Sequence, residues 1–171
     1  MKLDIGCGRA KAEGFTGVDV LPFEGVDVVL NAGKDPWPWN DGEVDEIRCS
    51  HFVEHLEPAE RIHFANEAYR VLKKGGTCQI ITPHWASPRA YGDLTHKWPP
   101  VCEWWFPYLN VEWRKVNAPH NTDYTCDFDS AAPGYTVHPA LQGRNPEYQQ
   151  HALSFWKDAA QDMLATLTKN R

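Results

Sequence analysis

The sequence predicts one α/β domain with a mostly parallel sheet and an antiparallel edge. Three observations favour this fold class. The length of 171 residues fits a single domain, and the hydrophobic share of 42% is enough for a buried core. Short apolar runs separated by loops and one helical pattern occupy residues 1–83. A region rich in tryptophan follows at 84–121, and a second helical pattern then continues to the C-terminus.

Five strands are predicted in the first half of the chain. The first runs directly into Gly6-Cys7-Gly8, and the second carries the acidic residue Asp19 near its end. The run at 26–30 is almost continuously apolar, as expected for a strand that is buried on both faces. The five predicted strands are residues 2–6, 16–20, 26–30, 44–50 and 77–82.

One helix is predicted between the fourth and fifth strands. Glu57-Pro58 begins it, since proline is tolerated in the first helical turn, and Gly75-Gly76 ends it. Its apolar residues recur at helical spacing and are Ile62, Ala65, Ala68, Tyr69 and Leu72.

An edge hairpin and a C-terminal helix are predicted in the second half. Tyr124, Cys126 and Phe128 alternate with polar residues, and a turn at 132–134 would bring residues 135–138 back as a partner strand. Asn145-Pro146-Glu147 has the residues of a helix start. The helix is expected to pack on the sheet or to mediate self-association into a homo-oligomer. Its apolar stripe comprises Ala152, Phe155, Trp156, Ala159, Met163, Leu164 and Leu167.

Charge and composition exclude several classes of protein. The formal net charge of -6 does not favour a protein that coats nucleic acid, which would normally show a basic face. No run of eighteen apolar residues predicts a membrane span, and the first residues do not resemble a signal peptide. The five cysteines form no Cys-x-x-Cys pair, so we expect buried free thiols in a reducing compartment, the cytoplasm.

The glycine loop and the acid that follows it predict a ligand site. Gly6 and Gly8 let the backbone come close to a ligand at the carboxyl edge of a parallel sheet, where the loop would present its N–H groups. Asp19 would accept hydrogen bonds from two ribose hydroxyls at the same edge. A nicotinamide dinucleotide is the alternative, but the third glycine is missing and Asp19 comes only eleven residues after Gly8. The pattern therefore favours a nucleoside ligand without a pyrophosphate.

Five ordered motifs between residues 2 and 83 resemble class I S-adenosylmethionine-dependent methyltransferases, in the short form that lacks the first helix. The resemblance implies a Rossmann-like fold and S-adenosyl-L-methionine as cofactor. The motifs are Leu-Asp-Ile-Gly-Cys-Gly at 3–8, Gly-Val-Asp-Val at 17–20, the loop and strand at 37–47, Ser-His-Phe-Val-Glu-His-Leu at 50–56 and the segment ending in Gly-Gly at 67–76.

The resemblance also implies roles for individual residues. Gly6, Cys7 and Gly8 would line the methionine part of the cofactor, with Asp4 organising the loop near the cofactor amine. Asp19 would bind the ribose, and Val20 would lie against the adenine. Four further residues complete the predicted cofactor site, with Asn31 and Ala32 beside the adenine edge and Ser50 and His51 facing the sulfonium.

The chain departs from the family pattern around the glycine loop. Only nine residues separate Gly8 from Val18, too few for the usual helix between the first two strands. Arg9 or Lys11 is expected to replace the missing helix dipole at the methionine carboxylate. A more open cofactor site, or a partner subunit that covers it, follows from this departure.

Catalytic residues are predicted after the fifth strand. His96 or His84 could take a proton from the acceptor, with Asp93 orienting the base. A purely structural loop held by these side chains is the alternative. No metal site is predicted, because neither His51 with His55 nor the set His84, Asp93 and His96 has a full ligand pattern. The tryptophans at 85, 98, 104, 105 and 113 could wall a planar or sugar-like substrate, or pack a lid on the sheet.

The predicted function is methyl transfer to an O or N acceptor on a small molecule, sugar or nucleotide. One domain spans 1–171, with a cofactor-binding half at 1–83 and a substrate side at 84–171. Ser50-His51-Phe52 lacks the Asn/Asp-Pro-Pro-aromatic motif of enzymes that methylate amino groups of DNA. The alternative is a non-catalytic regulatory module that binds S-adenosylmethionine or a nucleotide.

Overall fold

Eight strands form one sheet in the computed structural model, which describes residues 1–170. The order across the sheet is β3-β2-β1-β4-β5-β8-β6, and β7 also pairs with β8. Strands β1 to β5 are parallel, whereas β6, β7 and β5 are all antiparallel to β8. The strands are β1 (Lys2–Ile5), β2 (Thr16–Asp19), β3 (Val28–Val29), β4 (Val44–Ser50), β5 (Leu72–Pro83), β6 (Phe128–Ser130), β7 (Gly134–Val137) and β8 (Ala160–Lys169).

Four α-helices accompany the sheet in the described residues: α1 (Pro58–Val71), α2 (Arg89–Gly92), α3 (Val111–Asn117) and α4 (Pro146–Phe155). Helix α1 begins where the sequence predicts it, but the predicted end at Gly75-Gly76 is wrong, because the chain is already extended as β5 from Leu72 onward. Pro58 occupies the first turn, and the Glu60 side chain accepts a hydrogen bond from the Glu57 backbone N–H at 2.8 Å. Short 3-10 helices lie at Val53–His55, Glu103–Leu109 and Pro139–Leu141.

One face of the sheet carries the hydrophobic core. Leu3, Ile47 and Ile80 point to this face, and each is fully buried. Helix α1 covers them, and its Phe64 contacts the edge of the Trp37 ring with the centroids 5.8 Å apart. Burial of these aliphatic and aromatic side chains is the main force that holds α1 on the sheet.

The opposite face of the sheet is largely open to solvent. Gln79 and Thr166 are exposed on it, and Leu164 is 37% exposed. Lys2 and Glu46, neighbours on the same face, form an ion pair at 2.6 Å. A parallel sheet is normally covered on both faces, so this half-open sheet departs from the usual arrangement.

The strand order explains why one face lacks cover. The chain steps in one direction from β1 to β3 and in the other from β4 to β5, so right-handed crossovers place these connections on opposite faces. Helix α1 fills the β4–β5 connection, whereas the connections at 6–15 and 20–27 contain no helix. The absence of a helix after β1 agrees with the short spacing seen in the sequence.

The third strand is a short edge strand, and the prediction of a strand at 26–30 buried on both faces is wrong. Only Val28–Val29 pair with β2, and Val29 is 58% exposed. The run is apolar, but β3 ends the sheet and no helix packs on it. The apolar residues of β3 are therefore not fully buried, because the strand lies at the edge of the sheet.

The predicted C-terminal helix ends early, and its second half is a strand. Helix α4 begins at Pro146 after the Asn145 cap, as predicted, but it ends at Phe155. Residues Ala160–Lys169 then pair with β5 over seven positions. Met163 and Leu167 of the predicted stripe are buried in the core at strand spacing, because the edge of β5 offers hydrogen bonds that only an extended chain can take.

The predicted hairpin between residues 124–128 and 135–138 does not form. Strands β6 and β7 both pair with β8, along the edge that β5 leaves free. They lie end to end, and residues 131–133 interrupt them. The antiparallel edge is therefore present, but β8 rather than a hairpin builds it.

All five cysteines are free thiols, as predicted, and four of them are buried. Burial raises the pKa of Cys78 to about 12 and the pKa of Cys126 to about 11, so both thiols stay neutral. No helix within residues 1–170 has the length and apolar character needed to cross a membrane.

Candidate active site

The predicted cofactor residues meet at the carboxyl edge of the parallel strands. The glycine loop follows β1, Asp19 ends β2, and Ser50 ends β4 with His51 directly after it. Ligands of open α/β sheets bind at this edge. The topology therefore brings together positions that lie almost fifty residues apart in the sequence.

The glycine loop uses its backbone N–H groups internally, contrary to the prediction that it presents them to a ligand. The amides of Gly6 and Cys7 both donate to the Val18 carbonyl, at 2.8 and 3.2 Å. The Gly8 amide donates to Asp19 Oδ2 at 2.9 Å. What the loop can offer a ligand is therefore open space beside Gly8, where an added Cβ would meet no atom within 4 Å.

Asp19 ties the glycine loop to the second strand. Its Oδ1 accepts a hydrogen bond from the Leu21 amide at 3.0 Å, in addition to the bond from Gly8. A carboxylate has about four lone-pair sites, so it can still accept hydrogen bonds from a diol. The next residue, Val20, is 57% exposed and offers an apolar surface beside the carboxylate.

Asp4 on β1 holds the glycine loop and the residues after it in place. It is fully buried, and its Oδ2 accepts a hydrogen bond from the Ala12 amide at 2.8 Å. Arg48 on β4 donates to its Oδ1 at 2.9 Å. The loop-organising part of its predicted role thus has a clear structural basis.

The cations of the loop also have partners in the chain. Lys11 pairs with Asp27 at 2.9 Å, and the Arg9 guanidinium lies 4.6 Å from the centroid of the Phe23 ring. Burial and the charges of Asp4 and Asp19 raise the pKa of the Cys7 thiol, which therefore lines the loop as a neutral group.

Asn31 and Ala32 shape the turn after β3. The Asn31 side-chain oxygen accepts a hydrogen bond from the Gly33 amide at 3.2 Å. Ala32 is buried, and its carbonyl accepts a hydrogen bond from the Trp37 indole at 3.0 Å. Their predicted place beside the adenine stays a prediction.

His51 and Glu54 form a hydrogen-bonded pair after β4. His51 has a φ of 53°, which is uncommon for a residue other than glycine. Its Nδ1 lies 3.2 Å from Oε1 of Glu54. The Glu54 side chain is buried, and its other oxygen, Oε2, accepts a hydrogen bond from the Thr82 hydroxyl. The hydrogen bond to Glu54 raises the pKa of His51. With Nδ1 turned to Glu54 and the side chain 40% exposed, Nε2 is the ring nitrogen available to a ligand.

Asp162 on β8 places a second carboxylate near this pair. It is 7% exposed, and its Oδ2 lies 3.4 Å from the Arg89 guanidinium. Its Oδ1 is buried and has no hydrogen-bond partner among the described residues. The charge of Asp162 raises the pKa of His51 and that of Arg89 lowers it, so both groups lie within electrostatic range of the ring.

His84, a predicted base, has both ring nitrogens engaged. Its Nδ1 accepts a hydrogen bond from the Ala86 amide at 3.1 Å, so the proton resides on Nε2, 2.9 Å from Glu103. Burial raises the pKa of Glu103, but hydrogen bonds from His84 and Trp85 outweigh it and bring that pKa to about 2. This arrangement fits a structural role and leaves no nitrogen free to take a proton.

His96 and Asp93, the other predicted catalytic residues, lie together in the loop after α2. His96 Nδ1 lies 3.1 Å from the Ala90 carbonyl, and its Nε2 lies 4.0 Å from Asp93 Oδ2. Asp93 also accepts a hydrogen bond from the Thr95 hydroxyl at 2.7 Å. The His96 ring contacts the His55 ring edge to face, with centroids 4.7 Å apart.

The tryptophans separate into two groups. Trp85 lines a cavity of about 600 Å³ between the loop after β5 and the end of α4. Trp105 donates to the Tyr124 hydroxyl at 3.0 Å, and Trp113 packs on Tyr108. The substrate wall thus stays a prediction for Trp85 and for the exposed Trp98 and Trp104, whereas Trp105 packs against the core and Trp113 against Tyr108.

Three residues of this edge were not singled out from the sequence: Glu54, Arg89 and Asp162. Glu54 is an acid in an otherwise apolar turn, and this was an available signal. Asp162 was hidden because its segment was predicted as a helix, although the apolar–polar alternation of Ala165-Thr166-Leu167-Thr168 was the signal for a strand.

Comparison with known proteins supports the methyltransferase resemblance. The sequence model of the methyltransferase domain family matches residues 10–80. No curated protein matches the chain.

Solved structures share the fold. The chain is similar to a SAM-dependent methyltransferase from Archaeoglobus fulgidus, with a TM-score of 0.67 and 23% identity over 98% of this chain and 85% of the other. It is also similar to the 1,6-didemethyltoxoflavin-N1-methyltransferase of Burkholderia thailandensis, with a TM-score of 0.59 and 14% identity over 99% and 71% of the two chains.

A third solved structure with this fold comes from the complex of the Haloferax volcanii Trm112 methyltransferase activator with a methyltransferase. Its TM-score is 0.59 at 14% identity, over 99% of this chain and 82% of that chain. The ordered motifs, the family match over residues 10–80 and the sheet order together support a class I S-adenosylmethionine-dependent methyltransferase.

Proposed function

We propose that the chain transfers the methyl group of S-adenosylmethionine to an oxygen or nitrogen atom of a small molecule. One observation carries the choice of acceptor: the buried Asp162 Oδ1 without a hydrogen-bond partner. A buried carboxylate oxygen needs a donor, and here the donor must come from outside the described residues. An O–H or N–H group of an acceptor can supply this hydrogen bond and would lie beside the carboxylate when it does.

The residues at the sheet edge fit the cofactor. Open space at Gly8, lone pairs on Asp19 and the exposed apolar surface of Val20 suit a methionine chain, a ribose and an adenine respectively. When bound, S-adenosylmethionine supplies an electrophilic methyl group on its sulfonium. Asp4, Cys7, Asn31, Ala32 and Ser50 complete the proposed cofactor site.

His51 is the proposed proton acceptor. Glu54 holds Nδ1, which fixes the ring and leaves Nε2 of the partly exposed side chain without that partner. Asp162 would orient the acceptor by accepting its hydrogen bond. The free Nε2 of His51 supports it as the base in preference to His84, whose nitrogens are both engaged. The Burkholderia neighbour, an N1-methyltransferase solved with 1,6-didemethyltoxoflavin, supports a small-molecule acceptor.

The proposal is tested by transfer of a tritiated methyl group to a panel of phenols, sugars, N-heterocycles and nucleosides. We expect at least one compound with a free O–H or N–H to be methylated, and its fully methylated counterpart to be inert. Asp162→Ala should raise KM for that acceptor by about 10- to 100-fold, the worth of a hydrogen bond to a charged group. Affinity for S-adenosylhomocysteine should not change.

Glu46→Ala is the matched control, since Glu46 is a carboxylate on the open sheet face. An Asp162→Ala enzyme with the same KM as Glu46→Ala would refute the proposed acceptor contact. A wild-type protein that binds S-adenosylmethionine but methylates no acceptor would favour the non-catalytic regulatory module.

Asp19→Ala should weaken binding of S-adenosylhomocysteine by about tenfold or more. The substitution removes two ribose contacts and also releases the Gly8 and Leu21 amides. Isothermal titration calorimetry of wild type and variant measures the change. An unaltered Kd would show that Asp19 only closes the loop.

A further inference from the structure

We propose that Glu54, His55 and His96 bind a divalent zinc ion. One ligand atom from each of these side chains lies within 4.8 Å of the others. Around a tetrahedral zinc with bonds of 2.0–2.1 Å, ligand atoms are about 3.3 Å apart. Small side-chain rotations therefore close the site. The residues come from the turn after β4 and the loop after α2, so the sequence spacing does not reveal the set.

Hydrogen bonds already orient both histidines for metal binding. His96 Nδ1 donates to the Ala90 carbonyl at 3.1 Å, which leaves Nε2 as the ligand atom. His55 Nδ1 lies 3.0 Å from the Thr95 hydroxyl, which itself donates to Asp93 at 2.7 Å. Zinc-bound histidines usually donate their second ring nitrogen in this way, because the bond fixes the tautomer and the ring orientation.

Hydrogen bonds also hold the Glu54 carboxylate in place. Glu54 is 4% exposed, and His51 and Thr82 each contact one of its oxygens. Asp93 Oδ2 lies 4.0 Å from His96 Nε2, so a further negative charge borders the site. Clustered negative charge and imidazole nitrogen attract a divalent cation.

The donor set favours zinc over magnesium and calcium. Two imidazoles with one carboxylate suit zinc, whereas magnesium and calcium prefer oxygen ligands alone. The ion would fasten the loop after α2 to the turn after β4. That loop is already held there by the Lys97 amide, which donates to the Glu54 carbonyl at 2.8 Å, and by Arg61, which donates to the Lys97 and Pro99 carbonyls.

Titration of zinc alone into the metal-free protein tests the proposal, followed by calorimetry and by thermal unfolding. Cofactor and acceptor are omitted, so the result is independent of the proposed transfer reaction. We expect one ion per chain and a rise in Tm of about 5–10 °C at a hundredfold excess over Kd. Magnesium should produce neither effect.

Four variants locate the site. His55→Ala and His96→Ala should each lower zinc affinity about 100-fold or more, and Thr95→Val about tenfold, since it removes only the group that orients His55. His120→Ala, at an exposed histidine elsewhere, is the control and should bind as wild type does. Thr95→Val keeps the side-chain volume, so it tests the site even where an alanine variant is unstable.

Two results would overturn the zinc site. One is a wild-type protein that binds no zinc at one ion per chain. The other is a set of His55, His96 and Thr95 variants whose zinc affinity equals that of His120→Ala, which would place any bound zinc elsewhere.

Discussion

His51→Ala should lower kcat by about 100-fold or more for an acceptor with a free O–H or N–H. The variant removes the ring nitrogen that takes the proton, whereas the glycine loop and Asp19 remain. Affinity for S-adenosylhomocysteine should therefore change by less than about threefold. Steady-state kinetics with saturating cofactor, together with calorimetry, separate the two effects.

Two further variants make the His51 prediction specific. His96→Ala tests the base predicted from the sequence, and Glu54→Gln keeps a hydrogen-bond partner for His51 while it removes the charge. We expect a smaller loss of kcat for Glu54→Gln than for His51→Ala, because Glu54 acts through His51. A His51→Ala enzyme with wild-type kcat, beside a slow His96→Ala enzyme, would transfer the role of base to His96.

Gly6→Ala should mainly lower the stability of the protein, whereas Gly8→Ala should mainly lower its affinity for S-adenosylhomocysteine, although both glycines lie in one loop. Gly6 has a φ of 69°, and a Cβ there would lie 2.5 Å from the Phe52 ring. We expect Gly6→Ala to lower the free energy of unfolding by ~2–4 kcal/mol, from overpacking and left-handed backbone strain. Urea unfolding measures this loss.

Gly8→Ala has only the conformational cost, ~1–2 kcal/mol, since no atom lies within 4 Å of the added Cβ. If Gly8 borders the cofactor, the methyl group occupies that space and lowers affinity for S-adenosylhomocysteine about tenfold or more. An unchanged affinity would mean that the open space at Gly8 is not part of the cofactor site. Gly42→Ala, at another left-handed and open glycine, controls for backbone strain.

Local sequence patterns predicted the parts of the fold whose partners lie close along the chain. The strands at 2–6, 16–20, 44–50 and 77–82 and the start of α1 follow from short-range apolar patterns and from the proline after Glu57. The motif order also placed the glycine loop, Asp19 and Ser50 at one edge of the sheet, because the carboxyl ends of parallel strands meet wherever the helices lie.

The catalytic side could not be predicted in the same way. His84 and His96 looked equivalent in sequence, and only the folded chain shows Glu103 and the Ala86 amide on both nitrogens of His84. Asp162 reaches the edge only because β8 pairs with β5, eighty residues earlier in the chain. Contacts of this kind leave no periodic signal.

The sequence by itself determined the α/β class, the methyltransferase resemblance and the position of the glycine loop, since each depends on short motifs. The tertiary structure alone decided that the segment after α4 is a strand, that β6 and β7 share one edge of β8, and that one sheet face stays open. The physical reason is competition for backbone hydrogen bonds and apolar surface. Residues Ala160–Lys169 have a composition that suits a helix, but the unpaired edge of β5 stabilises them as a strand.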